Sequence, residues 1–493
     1  MEFLPSELLI NIIDNIWNLD TLMQLKQTNK VLYDCVKSSY SFNKLKDCYN
    51  DEIWNHYNMP TSKEGKLYVI GCMRGILEIV REYSKNVDRN IILDGFRWAT
   101  KNGHLNVLKW LKDNYNITEE DAKLHDNLAF RFAAYYGHLE LLKWLKENYN
   151  ITDEDAKINN NYAFRFAVKN GHLHVLTWLK ETFNITEEDT KSENNEAFIM
   201  AAENGHLHVL IWLKENFHIT EEESVNNYVF IRAAENGHLH VLKWLKENFH
   251  ITNEESKSVN NYAFIKSTEH GHLKVLKWLN ENFHITKEDA KIKNNEAFRL
   301  AASKGHLHVL KWLNENFHIT KEDAKIKNNE AFRLAASKGH LHVLKWLKEN
   351  FNITDEEAKS ENNDAFRGAS YNGHIEVLKW LKVTFNITKE DDNYTFILTE
   401  GHNQIDVLNW LKENFNITEE EVKMHNNEVF ILAAKDGNLE LLKWLKETFN
   451  ITEEDAKSEN NSAFNWAADY GHIDVLKWLK DNYNITNEEE YNG

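Results

Sequence analysis

Residues 297–330 read Ala297-Phe298-Arg299-Leu300-Ala301-Ala302-Ser303-Lys304-Gly305-His306-Leu307-His308-Val309-Leu310-Lys311-Trp312-Leu313-Asn314-Glu315-Asn316-Phe317-His318-Ile319-Thr320-Lys321-Glu322-Asp323-Ala324-Lys325-Ile326-Lys327-Asn328-Asn329-Glu330, and the next copy, 331–364, is nearly identical through Leu347. Trp312 belongs to a ladder of tryptophans at 110, 144, 178, 212, 244, 278, 312, 346, 380, 410, 444 and 478. Successive rungs stand 34 residues apart, except for one step of 32 and one of 30. A fixed period of this length is the mark of a stacked-repeat solenoid. The spacing from the leading Phe to the Trp stays at 14 even in the short copies, as from Phe230 to Trp244 and from Phe396 to Trp410. The missing residues therefore fall between the Ile-Thr pair and the next Phe, where loops absorb changes of length.

Each unit predicts two helices. The first, around Ala297-Phe298-Arg299 and Ala301-Ala302, carries small residues that let a neighbouring helix approach, and Gly305 ends it. The second runs from Leu307 to Phe317 with a broad stripe of Leu307, Val309, Leu310, Trp312, Leu313 and Phe317, suited to packing between neighbours on both sides. Thr320 followed by acids predicts an N-cap that opens a further helical turn, and Asn328-Asn329 closes the loop. The repeated Trp is expected in the core. Composition agrees with an all-α chain: 493 residues hold only two prolines and 18 glycines, with 42% hydrophobic residues and 16 tryptophans.

The pattern Ala-Phe-Arg-x-Ala-Ala-x-x-Gly-His-Leu-x-Val-Leu-Lys-Trp-Leu resembles the ankyrin repeat, two helices joined at Gly-His, over about residues 66–490. The resemblance implies an ankyrin-like helical solenoid of about 13 repeats. Residues 66–95 form a degenerate N-terminal capping copy: Tyr68, Gly75, Leu77, Ile79, Val80 and Tyr83 keep the spacing, but Glu82 stands where Trp is due. The sequence departs from the family where Glu-Ala-Phe-Arg replaces Thr-Pro-Leu-His and Asn-x-Ile-Thr-x-Glu-Asp-Ala replaces the hairpin segment, so a helical turn or loop is expected instead of β-hairpin fingers. In style, with Trp-Leu-Lys-Glu-Asn and units rich in Asn, Ile and Lys, the chain resembles ankyrin proteins of giant DNA viruses of amoebae.

Residues 1–45 lie off the ladder, and 46–65 connect them to the array. Leu4-Pro5-Ser6-Glu7-Leu8-Leu9, followed by Ile12-Ile13, Leu22, Leu25 and a segment after Asn29-Lys30, is similar to an F-box. That resemblance implies docking to the Skp-type adaptor of a cullin ubiquitin ligase through Leu4, Pro5, Leu8 and Ile12. The usual Trp of the third helix is absent, with Tyr33 nearby. The other reading of this segment is a helical cap on the first repeat.

Features that mimic active-site chemistry are absorbed by the repeat. Ten histidines follow the repeat glycine and five of them form His-x-His, as at His306 and His308, without the spacing or acid and Cys partners of a zinc site. Eight Asn-Ile-Thr triplets match a glycosylation sequon, yet His218, His250, His284 and His318 take the same place, so the position demands a polar residue for structural reasons. With Cys35, Cys48 and Cys72 in no metal spacing, and no nucleophile elbow or phosphate loop, the expectation is a non-enzymatic chain without catalytic residues, metal or cofactor. The formal charge of −19 opposes nucleic acid and anionic membrane as partners, and the start lacks a signal peptide, so a cytoplasmic location is expected, the host cytoplasm for a viral protein.

A repeated surface supplies a binding face, and function then sits where copies differ. The clearest variable positions are the two residues before the turn glycine. They nominate Tyr135, Tyr136, Lys169, Glu203, Glu235, Tyr371 and Tyr470 as contacts to a protein target. Two functional readings follow. One is a substrate receptor that recruits a ligase through its N-terminus and holds a target on the array. The other is a scaffold that sequesters a partner, with the N-terminal helices only capping the array.

Overall fold

The structure, a computed structural model, describes residues 62–217, 219, 228–391 and 405–485 apart from a few side chains. The F-box-like segment and Asn403, which replaces the turn glycine of its copy, lie outside the described residues. The chain divides between Val229 and Phe230 into two compact units. Each is a stack of helix pairs: the first carries pairs from Lys63–Arg74 and Leu77–Tyr83 to Glu187–Glu203 and Leu207–Phe217, and the second closes on Ser458–Asp469 and Ile473–Tyr483. Among the described residues there is no strand, as the all-α reading requires, and the segment that would carry a β-hairpin is helical.

One copy in the second unit shows why these residues fold this way. Thr286 is an N-cap: its hydroxyl accepts from the Asp289 N–H (3.1 Å) while the Asp289 carboxylate accepts from the Thr286 N–H (2.9 Å), a reciprocal capping box. The box opens the one-turn helix Lys287–Ala290 and buries Ala290. The same carboxylate receives Lys257 of the preceding copy at 2.7 Å, so the cap also ties two repeats together. Burial pushes Asp289 up, but the Lys257 hydrogen bond and the Thr286 N–H outweigh it and hold the carboxyl below its usual range.

The Asn-Asn pair does more than close a loop. The helix Ile292–Ser303 opens on three left-handed residues, Lys293, Asn294 and Asn295, with φ of 53, 57 and 59°. Asparagine tolerates this region better than most side chains, which is why it fills two of the three places. Arg299 then donates to the carbonyls of Asn294 (2.9 Å) and Lys293 (3.2 Å), groups the reversed backbone leaves without helical partners. Asn295 is buried and donates to the Asp323 carbonyl of the following copy at 3.0 Å.

Gly305 ends the first helix with φ 77°, the His306 N–H reaching Ala301 O (2.9 Å) and the Gly305 N–H reaching Ala302 O (3.2 Å). These two bonds make a Schellman C-cap. The second helix spans Leu307–Phe317 and buries Val309, Leu310, Trp312, Leu313 and Phe317. It stops at His318, left-handed at φ 50°; the Asn of the Asn-Ile-Thr triplets takes the same conformation at Asn116, Asn150 and Asn352. The apparent sequon is thus a helix C-cap.

Expectation and structure part over the tryptophans. Trp144, Trp278, Trp312 and Trp346 are buried, whereas Trp110, Trp178, Trp212, Trp244, Trp380, Trp410, Trp444 and Trp478 are only half-buried. The ring lies at the margin of the core, edge-on to the fully packed Phe five residues on, as Trp312 is to Phe317 (5.4 Å, 83°). An indole carries an N–H that has to stay near water or find an acceptor, as Trp444 does at Asn409 Oδ1 (3.0 Å). Phe is the true core residue: Phe298 meets Trp346 (6.4 Å) and Phe351 (5.7 Å) of the following copy.

Three copies carry Tyr where others place that second-helix Phe, at Tyr115, Tyr149 and Tyr483, and the hydroxyls of Tyr149 and Tyr483 are buried with no hydrogen-bond partner among the described residues. Burial raises the pKa of both. Removing an unsatisfied buried hydroxyl recovers its desolvation cost, so Tyr149→Phe is expected to stabilise the chain by about 1 kcal/mol. Urea unfolding checks this, and a destabilised variant would show that the hydroxyl has a partner.

Candidate functional site

A fixed frame holds the variable positions. Where a histidine follows the turn glycine it reaches back one repeat, its Nε2–H donating to the carbonyl of the first variable residue there. His172 donates to Tyr135 O (3.0 Å), His206 to Lys169 O (2.9 Å), His272 to Glu235 O (2.9 Å) and His340 to Ser303 O (3.0 Å). In His-x-His copies the second ring adds a bond to the preceding turn glycine, His308 to Gly271 O (3.1 Å) and His342 to Gly305 O (3.0 Å). Both rings thus point to the preceding turn. Because these bonds use backbone carbonyls, the side chains at the same residues can change from copy to copy without loosening the stack.

This ladder predicts an acid-sensitive fold. Burial, partly offset by the hydrogen bond to Ser303, holds His340 below its usual pKa, and His342, His374 and His306 push the same way. His138, His172, His272, His306 and His374 are depressed by burial as well. For a base with a lowered folded pKa the unfolded chain takes up protons first. Stability is therefore complete above the unfolded pKa of about 6.5 and falls as pH drops through it. The capping carboxylates, also depressed, add a second loss near pH 4. Urea midpoints measured from pH 8 to pH 5 are expected to start falling near 6.5; a flat profile down to 5.5 contradicts the ladder.

The structure places the seven nominated residues in different settings. Tyr135, Tyr136 and Lys169 come together in the first unit. Tyr135 lies 4.7 Å from Tyr136 and stacks on Phe166 at 5.5 Å, and Lys169 sits 5.6 Å over the Phe166 ring. Tyr136 is 39% exposed, enough to meet a partner. Glu203 is half-buried at the equivalent position of the next copy. In the second unit Glu235 enters a charge network: Arg232 at 2.7 Å, Lys266 at 4.0 Å, then Lys266 to Glu269 at 2.7 Å and Glu269 to Lys304 at 3.9 Å. Burial opposes ionisation of Glu269, but its pair with Lys266 prevails and lowers the carboxyl. Tyr371 is exposed, and Tyr470 joins Trp466 (5.9 Å) and His472 (6.3 Å) near the end of the array.

Sequence reasoning missed the residue one helical turn before the variable pair, two after the leading Phe. It supplies Trp98, Phe132, Phe166 and Trp466, and these rings complete the aromatic clusters. Lys101 lies over Trp98 (4.7 Å), Phe132 (5.9 Å) and Tyr136 (5.7 Å), and Lys435 over Trp466 at 5.2 Å. The signal was present: Trp98 and Trp466 are tryptophans off the ladder.

The opposite side of each pair carries grooves between second helices, as at Lys345, Lys348, Glu349, Asn352, Trp380 and Thr384, whose residue types recur from copy to copy. Among the described residues no group of three or more His, Cys, Asp or Glu could hold a metal ion.

Comparison with known families agrees with this anatomy. A family model described as ankyrin repeats (three copies) matches residues 130–223, 230–323, 298–391 and 396–489, well over half of the chain. The chain belongs to the ankyrin-repeat family. Comparison with curated proteins finds no match. Ankyrin repeats make this a protein–protein interaction module, and the first-helix face of its two units is where copies differ while the frame does not. Among the described residues no helix is long and apolar enough to cross a membrane.

Proposed function

We propose that the chain is a non-enzymatic substrate receptor. A protein target is held on the first-helix face of the ankyrin array, and the N-terminal segment docks a Skp-type adaptor through Leu4, Pro5, Leu8 and Ile12. Ubiquitin would then reach the target by proximity, with no chemistry contributed by this chain. The observation behind the target-binding half is the set of exposed aromatic and charged side chains at copy-variable positions, on a backbone that the histidine bonds hold constant. Tyrosine and tryptophan anchors of this kind dominate the energetics of protein interfaces. Support for the adaptor half is the Leu4-Pro5-Ser6-Glu7-Leu8-Leu9 pattern alone.

On this reading the domains are 1–45 for docking, 46–65 as a connector and 66–490 as the array, with 66–95 capping it, and the chain works in the cytoplasm. Co-purification of the full chain, and of a version lacking residues 1–45, with the Skp adaptor of an amoebal cell tests it. Adaptor retained by the full chain and lost on truncation supports the receptor. Absence of adaptor from both leaves the second reading, a scaffold that sequesters its partner, which the array-borne face serves unaided.

A further inference from the structure

We propose that the strip from Trp98 through Tyr136 to Phe166 binds a short, extended, acidic segment of a partner protein, laying apolar side chains on the rings and pairing carboxylates with Lys101 and Lys169. The proposal rests on the reading of the first-helix face as the target-binding face, and it names the chemistry of the target.

The rings are continuous over two copies, and Lys101 links them to Trp98 of the copy before. Tyr136 packs against Phe132 (6.3 Å) and Tyr135 (4.7 Å), and Tyr135 passes the contact to Phe166 (5.5 Å), on which Tyr162 stacks at 4.0 Å. Cations stand over these faces: Lys101 over Trp98 and Tyr136, Lys169 over Phe166, and Arg131 over Tyr162 at 4.7 Å. A cation that stacks on a ring can pair with a carboxylate as well, and desolvation by the ring strengthens that attraction.

The local charge comes from the absence at Arg131 of a pairing that three other copies make. Arg299 pairs with Glu330 (2.7 Å) and Arg333 with Asp364 (2.5 Å), each acid belonging to the following copy; Arg165 pairs with Glu196 in the same way. Opposite Arg131 that acid is replaced by Tyr162, and the guanidinium is held by ring contact and by the carbonyls of Asp126 and His125. A patch of positive sign thus interrupts a chain of net charge −19. Complementarity selects carboxylates for it.

Geometry sets the length. Neighbouring helices pack about 8–10 Å apart, so three copies span about 20 Å, and an extended peptide covers that in about six residues. Single-stranded nucleic acid also favours rings with cations. A longer polyanion would meet the remaining negative surface, whereas two or three carboxylates feel mainly charges within a Debye length of about 8 Å.

The test is a random octapeptide phage library panned on the full chain, with anisotropy of the labelled leading peptide on wild type, Tyr136→Ser and Lys101→Glu with Lys169→Glu. Expected are peptides with two or more Asp or Glu around an apolar residue, weakened about tenfold or more by each variant and by raising salt from about 50 to 300 mM. If the double reversal does not melt as wild type, Lys101→Met with Lys169→Met reads the same charge and keeps the aliphatic stems. Neutral or basic peptides, none at all, or affinity unchanged by Tyr136→Ser overturn the proposal. Binding lost instead in Tyr371→Ser would overturn the strip while leaving the first-helix face as the target surface. Binding of an oligo-dT strand, lost in the same variants without any acidic peptide, would reassign the strip to nucleic acid.

Discussion

Phe298→Ala is expected to cost about 4 kcal/mol, the range found when a fully packed aromatic is cut back to a methyl. The ring is 1% exposed and touches both Trp346 and Phe351 of the following copy. Its loss therefore opens a cavity at a repeat junction, and the remaining rings have no freedom to fill it because Trp346 is itself pinned edge-on to Phe351 at 5.4 Å. In a stacked array stability is close to a sum of units and nearest-neighbour junctions, so the damage should be local. Urea unfolding should lose its single transition, with an early phase. Hydrogen exchange should speed up in Ile292–Ser303 and Leu341–Phe351 before it does in Glu187–Glu203. A uniform loss of protection across both units would contradict the junction picture.

Gly305→Ala is the second large effect, and it separates two causes. At φ 77° an alanine bears a left-handed cost of about 1–2 kcal/mol. Its Cβ would also lie 2.7 Å from His340 Nδ1, so the ring that holds Ser303 must move or the turn must yield, adding about 1–3 kcal/mol of overpacking. Gly471 provides the control: it has φ 74°, but a Cβ there meets nothing within 4 Å among the described residues. Gly471→Ala should show the backbone cost alone, and Gly305→Ala about twice as much or more. Equal losses in paired denaturation curves would mean that the histidine does not bear on the glycine.

Much of this was legible in the sequence because the repeat averages away noise. The tryptophan ladder set the period, and the second helix was read residue by residue from Leu307 to Phe317, its bounds in the structure. Thr before a run of acids announced its capping box. Other features were hidden for physical reasons. Three consecutive left-handed residues at Lys293–Asn295 cannot be told from an irregular loop by residue type, since a lysine occupies one of them. The half-buried state of Trp410 or Trp478 follows from the angle between helices and from the indole N–H, neither of which periodicity reports. The binding strip was found in part. Tyr135, Tyr136 and Lys169 stood out as variable, but Trp98, Phe132 and Phe166, one turn earlier, fall on the unassigned position of Ala-Phe-Arg-x-Ala-Ala and were not singled out. Only the packing of first helices brings those rings beside the tyrosines.

On the proposed function, partners engage the first-helix face, where side chains vary on a histidine-held frame. A photo-crosslinking amino acid placed in the full chain, in turn at Tyr136, Glu235, Tyr371 and, on the second-helix side, at Lys345 and Lys379, measures this most directly. One protein band is expected to crosslink from positions on the first-helix face and none from Lys345 or Lys379. Crosslinks confined to Lys345 and Lys379 would contradict it and move the function to the grooves between second helices.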